Sequence, residues 1–195
     1  MKRSIFIILS IALLFSSCRV HFNENLKTSI TKQNIDLKKI QYYNSKKIEL
    51  TRIVNSSDTK VEGGKVKLEN GKYVETIVIK AKTAGICDSI SGNKMYVRFE
   101  NGDNRSLCFY NQNPNDSYGV YKLKGENCRK VERNYTITSE NNTQVISADF
   151  YVCNVQYEGK TYEVKYSQVP ILLIKKKHSY TKKTKKRKAK GVKVK

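Results

Sequence analysis

Tryptophan is absent from the 195 residues, and proline and methionine occur twice each. Histidine is nearly missing as well: His21 and His178 stand near the two ends, and none lies between them. The body therefore offers no imidazole to a nucleophilic serine or cysteine, and none to a zinc ion. The sequence contains no phosphate-cradling P-loop, dinucleotide fingerprint or acidic Ca²⁺ loop. No metal or cofactor is expected. Two carboxylates distant in sequence can still meet in space. However, Glu49, Glu75, Glu100, Asp103 and Glu158 fall at strand faces or turns among abundant lysines, and are expected to be solvated charges without a catalytic role. Acidic residues are scarce, 17 against 38 Lys and Arg, for a net charge of +21. The longest apolar run, Ile5 to Phe15 broken only by Ser10, is far shorter than the roughly 20 residues a helix needs to span a bilayer.

That run has a basic start in Lys2 and Arg3 and ends in Ser16, Ser17 and Cys18, the layout of an export signal. Leu14-Phe15-Ser16-Ser17-Cys18 resembles the cleavage site of bacterial lipoprotein signal peptides. Phe15 stands where an aliphatic residue is usual, with Leu14 one step back. The resemblance covers only the leader. It implies that residues 1–17 are removed, and that Cys18 receives diacylglycerol and becomes the mature N-terminus, carrying acyl chains such as palmitate. Arg19 in place of Asp, with no acidic cluster following, resembles outer-membrane lipoproteins that face the periplasm. The alternative is an ordinary secretory signal ending near a cysteine.

With Cys18 assigned to lipid, Cys87, Cys108, Cys128 and Cys153 remain, an even set compatible with two disulfides in an exported protein. Residues Arg129 to Thr138 and Thr143 to Gln156 read as a long hairpin about Ser139 to Asn142. If Thr138 faces Thr143, Cys128 falls opposite Cys153, and this pair is the first expected disulfide. The alternative is two buried free thiols. Cys87 and Cys108 lie on the first and third strands of a flat meander and point to its opposite faces, so local geometry does not join them.

Period-2 alternation and Gly/Asn turns fill the body. Ile48 to Ile53 alternates, and Gly63-Gly64 breaks the chain. Asn70-Gly71, flanked by Lys65 to Glu69 and Tyr73 to Ile79, is a strong hairpin signal. Gly85 to Ile90, Lys94 to Glu100 and Arg105 to Tyr110 form a meander whose core face holds Met95, Val97 and Phe99. In that meander Cys87 falls near Arg98. Gly119 to Leu123 and Lys160 to Tyr166 add strands, Ile146, Ala148, Phe150 and Val152 give the long hairpin its buried face, and Val169 to Ile174 closes the body as a buried strand. The expected fold is all-β, a small barrel or a sandwich built from hairpins. The run from Val78 to Phe109 resembles part of an SH3-like barrel. The chain then divides into a signal peptide (1–17), a lipid-anchored tether (18–38) carrying at most a short helix, an all-β domain (39–174) and a lysine-rich, disordered tail (175–195).

Charge concentrates in that tail, with 12 Lys or Arg and no acid from Lys175 onward, while residues 18–174 carry a net +7. Lys175, Lys176, Lys177, Lys182, Lys183, Lys185, Lys186, Arg187, Lys188 and Lys190 are the candidate anion-binding residues. In an exported protein their partners are anionic headgroups or envelope polymers. Nucleic acid is disfavoured because only Tyr180 offers a stacking ring, and it returns as a partner only if the chain is not exported. Lys195 resembles the terminal lysine of murein-linked lipoprotein, and Asp88-Ser89-Ile90 resembles a short O-glycosylation signal of exported Bacteroidetes proteins. The tyrosines on strands read as sheet packing rather than sugar stacking. The function expected is a non-catalytic, lipid-anchored envelope module whose basic tail engages an anionic component. The alternative is a ligand-binding or enzymatic β-barrel.

Overall fold

A computed structural model describes residues 18–54, 65–69, 72–139 and 142–176. The leader, Gly63-Gly64, the Asn70-Gly71 turn and the basic residues from 177 onward lie outside the described set. The strands in chain order are β1 (Arg19–His21), β2 (Gln41–Asn44), β3 (Ile48–Val54), β4 (Lys65–Glu69), β5 (Lys72–Ile79), β6 (Ala84–Ser91), β7 (Lys94–Arg98), β8 (Ser106–Tyr110), β9 (Lys122–Leu123), β10 (Glu126–Ser139), β11 (Asn142–Tyr157), β12 (Lys160–Tyr166) and β13 (Leu172–Lys175). One helix, α1 (Glu24–Thr31), and a 3-10 turn, Leu37–Lys39, precede β2. The fold is all-β.

Two antiparallel sheets result, ordered β1-β13-β2-β6-β7-β8-β9 and β10-β11-β12-β3-β5-β4. Beyond β9 the first sheet returns on itself: Lys122 bridges Ile171, and Val120 bridges Asn23. Tyr121 N donates to Phe22 O (3.3 Å) and Leu172 N to Tyr121 O (2.9 Å), which closes a small barrel. Phe22, Tyr42, Met95, Val97, Leu107, Phe109 and Tyr121 fill it, and Ile48, Leu50, Val155, Tyr162 and Val164 of the second sheet belong to the same core. Burying each such side chain contributes about 2 kcal/mol. Gly85 is required by close approach, since a Cβ there would lie 2.7 Å from the Phe99 ring.

The meander forms as expected, with Met95 and Val97 on the core face. A bulge between Cys87 and Ser89 shifts the register, so Cys87 faces Val97 rather than Arg98. Val97 faces Leu107 and Cys108 faces Tyr96. Cys87 thus joins the core, Cys108 lies on the other face, and both are free thiols rather than a disulfide. Val78 and Ile79 end β5 in the second sheet, so the run from Val78 to Phe109 is divided between the two sheets. β13 is buried on both faces through Leu172, Leu173 and Ile174, and it continues through Lys175, which pairs with Arg19, so the expectation that the disordered tail starts at Lys175 is corrected.

Three expectations require correction. First, the residues after Cys18 are not a free tether. Val20 pairs with Ile174, Phe22 is fully buried, and α1 places Ile30 in the core. Asn23 caps that helix by accepting from Leu26 N at 2.9 Å. Residues from Arg19 onward therefore belong to the folded body, because β1 pairs along β13 and Phe22 enters the shared core. Second, the core face of β11 is carried by Cys153, Val155 and Tyr157, the alternation opposite to the expected one. Val152 is buried, but Phe150 is only partly buried and Ala148 is exposed, while the Ile146 side chain lies outside the described set. The reason is topological: β12 pairs with β11 only from Tyr151 to Tyr157, so the rest of the β10–β11 hairpin runs on as a two-stranded ribbon. Third, Glu75 is not solvated; it is 1 % exposed.

The hairpin register is the expected one, with Thr138 opposite Thr143. Near its base β10 bulges between Glu126 and Arg129, and Cys128 forms a disulfide with Cys153 across a Cα separation of 4.1 Å.

Candidate functional site

Three places combine polar chemistry with surface access. The first is the corner where the chain leaves Cys18. β1 is an edge strand, and its pairing sets Arg19 opposite Lys175 and Val20 opposite Ile174. One residue further out, Lys176 N donates to Cys18 O at 2.9 Å. Residues at opposite ends of the folded body therefore share one corner. The Arg19 guanidinium lies 4.2 Å above the Tyr43 ring, a cation–π contact that orients it. Its Nε is buried and has no hydrogen-bond partner among the described residues. The 3-10 turn leads into the end of β2 that adjoins Ile174, so Lys38 and Lys39, both exposed, stand at the same end of the barrel. Asp36 accompanies them, its carboxylate capping the turn by accepting from Lys38 N at 2.9 Å.

Sequence reasoning named Cys18, Lys175 and Lys176 from opposite ends of the chain, and the fold brings these three together. Lys177, Lys182, Lys183, Lys185, Lys186, Arg187, Lys188 and Lys190 lie outside the described residues. Cys18 is exposed; Cys108 is half-buried, Cys87 is buried, and Cys128 and Cys153 are joined. Burial pushes the Cys87 thiol up to about 11 and the Cys108 thiol upward, which keeps both protonated and poorly nucleophilic at neutral pH.

The second place is a cleft of about 480 Å³ where the second sheet splits. β3 and β12 pair only at Thr51–Glu163 and Val164–Leu50, and beyond Thr51 the two strands part. Arg52 faces the gap. Its Nε donates to Glu75, whose carboxylate also accepts from the Tyr162 hydroxyl at 3.2 Å. Burial opposes the charge on Arg52, but its hydrogen bonds to Tyr162 and Glu75 outweigh that and raise its pKa. Thr161, Lys160, Lys165 and Ile53 also line the cleft. Glu75 was visible in the sequence as an acid on a strand. Its ion pair with Arg52 depends on β3 lying beside β5, a neighbour relation with no local signal.

The third place is the end of the barrel covered by α1. Glu24 accepts from Tyr121 Oη at 2.7 Å and from Asn111 Nδ2 at 3.3 Å, and pairs with Lys27 at 3.2 Å. Lys27 Nζ donates in turn to Tyr121 Oη at 2.8 Å. Burial tends to raise the Glu24 pKa, but these hydrogen bonds and the lysine charge prevail and hold it below the usual carboxylate range. Each member is satisfied by the others, so the network latches the helix to the barrel.

Among the described residues no group of three or more His, Cys, Asp or Glu could hold a metal ion. No described helix is long and apolar enough to cross a membrane.

No family model, curated protein or solved structure matches this chain.

Proposed function

We propose that the chain is a lipid-anchored protein of the bacterial envelope, facing the periplasm from the outer membrane. In this role the body is a non-catalytic binding or structural module and the basic tail engages an anionic envelope component. The observation that carries the proposal is the position of Cys18. The cysteine that the leader motif marks for acylation is the exposed one among the three free cysteines, and it stands at the outer end of an edge strand. Two or more acyl chains give stable anchoring, since each buried methylene contributes about 0.8 kcal/mol.

The test is the intact mass of the protein isolated from its native membrane, beside Cys18→Ala. A mass that begins at Cys18 with acyl chains, and loses them in the variant, supports the proposal. An unmodified, uncleaved chain in the soluble fraction sinks it and turns the tail into a nucleic-acid arm.

The cleft between β3 and β12 favours a second reading, in which the body also binds a small ligand. Arg52 is held rigidly there beside exposed Ile53 and two lysines, a setting suited to a compact anion with an apolar side. Saturable chemical-shift changes at Thr51, Arg52 and Thr161 on titration with small carboxylates support it, and a flat response removes it.

A further inference from the structure

The lengthwise order of the chain suggests a bridge, with lipid at one end and cations at the other reaching to something else. The fold removes that separation, because Lys176 N is bonded to Cys18 O at 2.9 Å and Lys175 lies opposite Arg19. We infer that the partner of the basic segment is the anionic headgroup surface of the same leaflet that holds the lipid, and that the Cys18 corner of the body is itself the docking face. This deepens the anchoring proposal and rests on it.

Four observations support the inference. First, no spacer separates Cys18 from folded structure: β1 begins at Arg19, so acylation of Cys18 sets the first strand at headgroup level. Second, cations converge on this end. Arg19, Lys38, Lys39, Lys175 and Lys176 stand there, with Asp36 as the one acid flanking the turn. Third, Arg19 is pre-oriented by the Tyr43 ring at 4.2 Å, and its buried Nε has no partner among the described residues. Fourth, Ile86 is 44 % exposed and pairs with Gln41 at this same end, an apolar group placed where interfacial contact would bury it.

Screening makes proximity decisive. Attraction to a charged surface fades within about 8 Å at physiological salt. Charges rooted at the lipid attachment point are inside that range from the outset, whereas a polymer elsewhere in the envelope must come to them. Each cation brought to an anionic headgroup surface raises affinity by about fivefold. The nineteen residues from 177 to 195 span at most about 65 Å when extended, enough to lie along the leaflet from that root.

The experiment uses the acylated protein that begins at Cys18, in phosphatidylcholine vesicles with and without phosphatidylglycerol, footprinted by lysine acetylation and mass spectrometry. Lys38, Lys39, Lys175 and Lys176 should label at least about fivefold more slowly in the anionic vesicles, with high salt restoring the rate. Lys46 and Lys82, exposed at the other end of β2 and β6, serve as internal controls and should not change. Equal labelling of the corner and control lysines in both vesicles overturns the inference while leaving the anchor standing. Protection that arises only when soluble peptidoglycan fragments are added overturns it in favour of a bridge. The same spectra report the acyl chains, so a chain without them removes the anchoring proposal itself and is told apart from either result. Lys175→Gln/Lys176→Gln, read by the same footprint at Lys38 and Lys39, should weaken the protection without altering the far-UV spectrum.

Discussion

Replacing both members of the Cys128–Cys153 bridge by alanine isolates what the cross-link contributes. The bond spans 25 residues of sequence and encloses the β10–β11 hairpin from Cys128 to Cys153. Closing a loop of that length lowers unfolded-chain entropy enough to stabilise the fold by about 3.5 kcal/mol on the chain-entropy model. For a body of this size that corresponds to about 10 °C in melting temperature. Local packing adds to the effect, because Cys153 is fully buried and its sulfur lies 2.9 Å from the Tyr166 hydroxyl. The site also stands where β10 bulges, so the bridge pins the base of a ribbon that beyond Tyr151 has, among the described residues, only its own partner strand to pair with. The assay is guanidinium unfolding followed by circular dichroism, on the oxidised protein, the reduced protein and Cys128→Ala/Cys153→Ala. Reduction should bring the wild type down to the variant, and reductant should leave the variant unchanged. The denaturant slope should rise without the bridge as the unfolded chain expands. A variant with a native spectrum and unchanged stability would refute the loop-closure reasoning.

Gly125 touches the same bridge. A Cβ there would come within 2.4 Å of Cys153 Cβ, so Gly125→Ala should destabilise by about 1–3 kcal/mol in the same titration. Arg52→Leu strands the buried Glu75 carboxylate and should cost about 3–5 kcal/mol, whereas Arg52→Leu/Glu75→Leu should recover much of the loss, as a thermal double-mutant cycle would read. Glu24 gives the pH dependence. Its folded pKa lies below the ordinary value, so it stabilises above the unfolded carboxylate pKa of about 4.3, and that contribution is lost as pH falls through the folded value. Melting curves between about pH 5 and pH 3 should therefore fall less steeply for Glu24→Gln than for wild type.

The parts legible in the sequence were those in which residues close along the chain meet one another. The Asn70-Gly71 signal led to β4 facing β5, with Glu69 opposite Lys72. Counting back from Thr138 and Thr143 led to the Cys128–Cys153 bond. Alternation in Met95 and Val97 located the core face of β7. The failures share the opposite character. A single bulged residue at Asp88 moved Cys87 from Arg98 to Val97, and no turn chemistry announces such an insertion. The face of β11 was misjudged because the apolar alternation of its outer half lies beyond Tyr151, where its pairing with β12 ends. Polarity hid the role of the residues after Cys18, where two apolar positions, Val20 and Phe22, sufficed for docking.

By itself, the sequence determined the all-β class, the hairpins and, outside the bulge at Asp88, their registers, and the concentration of positive charge beyond Ile174. Backbone alternation, turn residues and composition are properties of short stretches, and they act before any distant contact forms. Only the tertiary structure decided that the sheet closes through Lys122 and Ile171, that Arg52 finds Glu75, and that Cys18 meets Lys176. Those pairings depend on which strand edges remain open once every local hairpin has formed. Complementary edges with buried apolar faces choose one another across the whole chain, and nothing in either partner's own neighbourhood names the other.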